Sequence, residues 1–212
     1  IIPQSTRPRK MIMLEGCVQP GMSPNINAAT LRVLDKLGIQ LQRPPSAGCC
    51  GAINLHMGAE AQSLNDMRRN IDAWWPLLEQ GAEALLINAS GCGATVKEYG
   101  HHLQFDAQYA EKAAKISAMA KDIVEILAAE AAHIREKLSA DMPHQKTAYH
   151  PPCTLQHGQK LKGSVENLFA ELGIALLLPQ DAHLCCGSAG TYSFFQPELS
   201  QQLRDNKLGR LN

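Results

Sequence analysis

The 212-residue sequence predicts an α/β fold with mostly parallel sheets, arranged as two related units. Three observations carry this reading. Short apolar runs alternate with stretches whose apolar residues recur at helical spacing, which is strand–helix–strand order. The spacing C-x31-C-C-G occurs twice, once from Cys17 to Cys49-Cys50-Gly51 and again, 136 residues on, from Cys153 to Cys185-Cys186-Gly187. Between the cysteines, Leu37-Gly38-Ile39 is echoed by Leu172-Gly173-Ile174 at an offset of 135, a one-residue slip. Self-similarity at a fixed offset marks an internal duplication.

Lys10 to Glu15 is a short apolar run ending at Gly16-Cys17, as a buried strand would be. From Ser23 to Leu37, the residues Ile26, Ala29, Val33 and Leu37 fall at helical spacing. Ser23-Pro24 supplies an N-cap and first-turn proline, and Gly38 closes the helix. Ile39 to Leu41 forms a second strand, followed by Pro44-Pro45 and the Cys49-Cys50-Gly51 turn. A long helical region then runs to about Gln80, broken or bent near Pro76. Glu83 to Asn88 is the most strand-like run, and it delivers Ser90-Gly91-Cys92-Gly93.

Ala110 to Leu138 is predicted as one long amphipathic helix, with Ile116, Met119, Ile123, Leu127, Ile134 and Leu138 on one stripe. It would pack across the first unit and lead into the second. That unit restarts with Lys146 to His150 as strand, Cys153, a helix to about Leu172, and Ile174 to Leu178 as strand before the Cys185-Cys186 turn. The result is duplicated Rossmann-like α/β units, the second truncated. The boundaries are 1–139, including the connecting helix, and 140–212.

Composition excludes several function classes. Lys plus Arg and Asp plus Glu number 20 each, so the formal charge is zero and no footprint for nucleic acid or anionic lipid remains. The one basic cluster, Arg7, Arg9 and Lys10, is interrupted by Pro8. No apolar stretch approaches the ~20 residues of a membrane helix. There is no signal-peptide pattern, and the chain opens Ile-Ile-Pro, as a fragment or processed product would. Seven cysteines, an odd count without a secretory leader, argue for free thiols in a reducing, cytoplasmic setting.

A buried structural cysteine has no reason to keep such spacing, so the thiols read as ligands. In parallel α/β folds, ligands gather beyond the carboxyl ends of the strands. Cys17 and Cys92 follow predicted strands, and Cys49 and Cys50 lie on the loop after another, so all four can meet at one sheet edge. Four thiolates suit tetrahedral zinc or an iron–sulfur cluster alike. The glycine after each vicinal pair permits the sharp turn that lets two adjacent thiols face one centre. Helix N-termini after Gly51 and Gly93 would lower the thiol pKa values. A disulfide between Cys49 and Cys50 is sterically awkward, and a reactive dithiol without metal leaves Cys17 and Cys92 unexplained.

The pattern C-x31-C-C-G with a distal Cys resembles the cysteine-rich CCG domain of heterodisulfide reductases and their relatives. There the last element is usually C-x-x-C, whereas here Cys92-Gly93-Ala94-Thr95 replaces the fifth thiol with Thr. The stretches 149–159, 183–192 and 203–207, with Gly16-Cys-Val-Gln19 and Asn27-Ala-Ala-Thr30, are similar to the iron–sulfur subunit family of bacterial glycolate oxidases. The resemblance spans nearly the whole chain and identifies it with the C-terminal portion of such a subunit. It implies a 4Fe-4S-type cluster in the intact protein, with zinc or an empty site in the fragment. It also implies a flavin-containing partner subunit that oxidises glycolate to glyoxylate, and electron transfer to a membrane acceptor. The complex would lie in the cytoplasm or peripherally on the inner face of the cell membrane, without direct insertion. The fragment itself carries no G-x-G-x-x-G fingerprint for a flavin or nucleotide and is expected to be inactive alone, with no nucleic-acid partner.

The expected ligands are Cys17, Cys49, Cys50 and Cys92 in the first unit and Cys153, Cys185 and Cys186 in the second. The counterpart of Cys92 would fall near position 228, so the second site holds at most three thiolates here, and an unpaired sheet edge or apolar groove is expected beside it. His150 and His183, three and two residues before ligand cysteines, rank below the thiols as ligands or as donors to them, and His157 ranks with them. His101-His102 are expected at the surface, Lys97-Glu98 at the start of a helix after Cys92, and Trp74-Trp75 as one core and one exposed contact. Alternatives from other classes are a thiol–disulfide reductase of heterodisulfide type, a lactate-oxidising relative, and a zinc-stabilised interaction module.

Overall fold

Three of the predicted strand runs pair in parallel in one sheet and the other two in a second. β1 (Arg9–Leu14) is flanked by short helix α1 (Gln19–Met22), then α2 (Pro24–Lys36) and β2 (Ile39–Gln42). Met11, Ile12, Met13 and Leu14 are all buried, as expected of a strand covered on both faces. The computed structural model describes residues 6–138 and 147–210. It divides into two compact units, Ile1–Ile126 and Leu127–Asn212.

The first unit continues with α3 (Ala52–His56), α4 (Glu60–Glu79), β3 (Leu85–Ile87), α5 (Ser90–Lys97), α6 (Tyr99–His102), α7 (Ala110–Met119) and β4 (Ala120–Asp122). The sheet order is β2-β1-β3-β4, all parallel, with Arg9 opposite Ile39, Ile12 opposite Leu85 and Leu85 opposite Ala120. β1 therefore has its sequence neighbour on one side and β3 on the other. That reversal of strand order is where such sheets open a crevice at their carboxyl ends. One face packs Ile12, Leu14, Leu85 and Ile87 against Met67, Ile71, Trp74 and Tyr99 in a single apolar cluster.

The long helix expected over Ala110–Leu138 is instead α7, β4, α8 (Ile123–Ala129) and α9 (Ala131–Lys137). Residues of good helix propensity at Ala120–Asp122 pair with β3, because buried Ala120 completes the sheet edge. Asp122 then starts α8 by accepting the Val124 N–H on Oδ1 at 3.1 Å.

Three further expectations are corrected. α4 runs through Pro76 unbroken. Ser23 makes no side-chain capping bond, and Ile26 and Val33 of α2 are exposed. The buried face of α2 is Asn27, Thr30, Leu31 and Leu34, because two of its positions serve polar contacts described below. Lys97 ends α5 rather than opening a helix, and pairs with Glu125 at 2.6 Å. His101 is exposed as expected, while His102 is half-buried. Trp74 is fully buried, and Trp75 lies under the Lys112 and Lys115 ammonium groups.

In the second unit the strands shrink to β5 (Thr147–Ala148) and β6 (Leu176–Leu177), paired in parallel as a two-stranded sheet. Lys146 lies outside the described residues. The helix expected between Cys153 and Leu172 is split into a π-helical turn, Thr154–Gly158, and α10 (Ser164–Glu171). Lys160 at φ +59° and Gly163 at φ +78° leave the helical region and separate the two. α11 (Tyr192–Phe195) and α12 (Pro197–Leu208) close the unit.

Candidate metal centre

Three adjacent strands of the first sheet each deliver thiols from their carboxyl ends. Cys17 follows β1 through Gly16, whose φ of +78° turns the chain out of the strand. Cys49 and Cys50 sit between β2 and α3, and Cys92 lies in the first turn of α5, which starts at Ser90 rather than after Gly93 as expected. Cys17 is exposed, Cys49 and Cys92 are half-buried, and Cys50 is buried.

The four thiols form one directional chain. The Cys17 S–H donates to Cys49 Sγ at 3.4 Å, Cys49 to Cys50, and Cys50 to Cys92. Burial, then donation to Cys49, pushes the Cys17 thiol up. Donation to Cys50, then burial, pushes Cys49 up strongly. The bond accepted from Cys49 favours the Cys50 thiolate, but donation to Cys92 and burial outweigh it and push that thiol up to about 12. Cys92 only accepts, from Cys50, and this lowers its pKa against burial. The Gly51 and Ala52 amides at the start of the short helix pull Cys49 and Cys50 down, as expected, but are outweighed. Hydrogen bonding within the cluster dominates.

Buried polar side chains fix the vicinal turn. Asn70 of α4, fully buried, accepts the Gly48 N–H on Oδ1 at 2.8 Å and donates from Nδ2 to Cys49 O at 2.7 Å. It also donates to the Tyr99 hydroxyl at 3.1 Å, which in turn donates to Cys50 O at 2.8 Å. Ser63 Oγ donates to Gly51 O at 3.0 Å. Gly51 has φ +93°, and a Cβ there would meet Ser63 O and Oγ at 3.0 Å, so the position requires glycine.

A second network ties the Cys17 and Cys92 loops together. Gln19 Nε2 donates to Asn27 Oδ1 at 2.7 Å and to Asn88 Oδ1 at 2.8 Å, while Asn27 Nδ2 donates to Glu15 O at 3.0 Å. Asn88 Nδ2 donates to Thr30 Oγ1 at 2.9 Å. The sequence assigns none of these residues a role at the site. Asn27 and Thr30 interrupt the buried face of α2, a signal open to notice in hindsight.

The second thiol group repeats part of this frame. Ser200 Oγ donates to Gly187 O at 2.8 Å, as Ser63 does to Gly51. Gly187 N donates to Cys185 Sγ at 3.3 Å, as Gly51 N does to Cys49 Sγ at 3.5 Å. Burial, then the neighbouring Cys185 and Cys186, push the Cys153 thiol up. Both ring nitrogens of His150 are buried without a hydrogen-bond partner among the described residues, whereas His183 is exposed and His157 lies on the π-helical turn.

Thr95, where a fifth thiol would fall, is buried and donates from Oγ1 to Gly91 O at 3.2 Å, back into its own helix. The first donor set is thus four soft thiols. Among the described residues, no three His, Cys, Asp or Glu side chains are disposed around a single ion. Four soft thiols are a donor set that fits zinc or an iron–sulfur cluster.

The cysteine-rich domain family CCG matches residues 11–97 and 147–212, which bracket both thiol groups. The chain belongs to the CCG family. Its CCG segments are similar to curated relatives over nearly their whole extent. The glycolate oxidase iron-sulfur subunit of Escherichia coli strain K12 is 55% identical over 96% of this chain and 49% of its own length. The probable glycolate oxidase iron-sulfur subunit of Bacillus subtilis strain 168 is 30% identical over 94% of this chain and 44% of its own. Lactate utilization protein A of Geobacillus thermodenitrificans is 26% identical over 94% and 80%. The chain spans about half the length of the two glycolate oxidase relatives. No helix among the described residues is long and apolar enough to cross a membrane.

Proposed function

We propose that this CCG chain is part of the iron–sulfur subunit of an oxidoreductase complex that oxidises glycolate, carrying electrons between a flavin subunit and a further acceptor at the membrane. The observation that carries the reading is the convergence of Cys17, Cys49, Cys50 and Cys92 beyond three neighbouring parallel strands. Similarity to the two named glycolate oxidase subunits supports the substrate. A cluster bound there, of the 4Fe-4S type, would supply one-electron storage and transfer. The protein's own share is to hold four thiols at fixed spacing by the Asn70–Tyr99 clamp and to join their loops through Gln19, Asn27 and Asn88. Cys153, Cys185 and Cys186 would hold a second centre. The units read as two cysteine-rich domains, 1–139 and 140–212.

Loss of the fifth thiol at Thr95 weighs against heterodisulfide-type chemistry, and similarity to two named iron-sulfur subunits weighs against structural zinc. The test is anaerobic reconstitution of the full-length subunit with iron and sulfide, followed by metal analysis and EPR. It should be joined to activity of the assembled complex with glycolate, lactate and disulfide substrates. Iron and sulfide in stoichiometric amounts with glycolate-dependent electron transfer are expected. A zinc-only protein, or turnover with disulfides alone, would sink the reading.

A further inference from the structure

The two thiol groups share a frame but differ in charge. In the first, Ser63 anchors Gly51, and seven residues further along α4 the neutral amide of Asn70 clamps the vicinal turn. In the second, Ser200 anchors Gly187, and seven residues further along α12 stands Lys207. Seven residues are about two helical turns, so each residue lies on the same helix face as its serine. Ser63 to Ser200 and Asn70 to Lys207 keep one offset, 137. The turn amide of the first unit is thus replaced by an ammonium group in the second.

Lys207 is only 6% exposed. Its Nζ donates to Asp181 O at 2.8 Å, on the loop that leads to Cys185 and Cys186. Among the described residues this is its sole hydrogen bond, and no carboxylate pairs with it. An ammonium group has three donors, and burying one without an anion is costly. The nearest chemistry able to repay that cost is the thiol group. The Lys207 charge reaches both Cys153 and His150. In the first unit a cation also reaches the turn, Arg69 donating to Cys49 O at 3.3 Å, but it is half-exposed and paired with Asp66 at 2.8 Å.

We infer that Lys207 is the built-in counter-charge of the second thiol centre, in the place Asn70 holds in the first, so that the two centres differ in reduction potential, the second being the more positive. A fixed positive charge near an iron–sulfur centre favours its reduced, more negative state. The inference rests on the cluster reading above and adds an order: the second centre is the better electron acceptor.

The experiment uses the full-length subunit, reconstituted anaerobically, with the potential of each centre read by EPR-monitored redox titration. Lys207→Asn and Lys207→Gln remove the charge, and Lys207→Arg keeps it. Circular dichroism and iron content report folding and loading. Removing the charge should lower one potential by at least tenfold in the reduction equilibrium, about 59 mV for one electron. The other potential should stay in place, and Arg should restore the shifted one. If both neutral variants lose the second centre while Arg retains it, the charge requirement is equally established. Unchanged potentials in loaded neutral variants, the same shift with Arg, or loss of the centre in all three would overturn the inference and leave the cluster reading standing. Absence of iron from the unmodified subunit would instead overturn the cluster reading, and with it this one.

Discussion

A single amide, Asn70, holds Cys49 by its carbonyl at 2.7 Å while accepting the N–H of the preceding Gly48 at 2.8 Å. The conformation of the vicinal thiol turn is therefore set from the middle of α4, about 20 residues downstream. Asn70→Ala would leave the Gly48 N–H without its acceptor and take from Cys49 O the shorter of its two bonds, leaving Arg69 at 3.3 Å. At about 1–3 kcal/mol for an unsatisfied group, the loss should reach about 1–3 kcal/mol in denaturant unfolding. A loss within 0.5 kcal/mol, on the order of a neutral surface change, would show that the clamp is not needed.

Replacing any of Cys17, Cys49, Cys50 or Cys92 by Ser should lower the iron bound after anaerobic reconstitution, because the hard hydroxyl is a poor substitute for a soft thiolate. Cys17→Ser tests this most cleanly, since Cys17 is exposed and its loss leaves the core untouched. Full iron content in Cys17→Ser would remove it from the ligand set.

The metal-free, reduced protein should lose stability as pH rises above about 9. Cys17, Cys49 and Cys50 have folded pKa values raised above the ordinary 9.0, so the unfolded chain releases their protons first and gains on the folded one. Their contribution is complete below about pH 9 and is lost toward about 12, the value for Cys50. Cys92, lowered, opposes this with a gain above its folded pKa, but it is one group against three. Urea midpoints at pH 8 and 10 measure the slope, and it should flatten in Cys50→Ala. A rising stability over that range would contradict the hydrogen-bonded chain.

Gly187→Ala should be more damaging than Gly51→Ala. Both positions have positive φ, +84° and +93°, but an added Cβ would meet Ser200 O at 2.3 Å against 3.0 Å from Ser63 O. Backbone strain of about 1–3 kcal/mol is common to the two, and the closer clash adds overpacking of about 1–3 kcal/mol. Thermal unfolding of the two variants gives the comparison, and equal losses would mean that Ser200 moves aside freely.

What the sequence made legible was what rests on spacing. β3 lies within its predicted run, β1 and β2 overlap theirs with one residue outside each, and the cysteine repeat pointed to thiols that do converge. Failures came where tertiary pairing overrode local preference. Ala120-Lys121-Asp122 carries no strand signal, yet edge pairing to β3 takes it out of a helix. Pro76 sits inside α4 without ending it. The polar scaffold was invisible for a different reason. Asn27, Asn70 and Asn88 are buried because of partners far along the chain, and no periodicity encodes such a partner. Lys207 carries no signal of its own until its helix is aligned with that of Asn70.

The strand order β2-β1-β3 has a consequence for how the chain is made. Synthesis delivers β1 and β2 first, and domains begin to fold from the N terminus while synthesis proceeds. Cys17, Cys49 and Cys50 are then already translated, but β3 must still insert on the far side of β1 before Cys92 arrives. Until it does, the last acceptor of the thiol chain is missing and three cysteines stand next to one another with no finished site. Nascent chains arrested between residues 51 and 92 would be the form most open to thiol oxidation, and the form most in need of a reducing environment during translation.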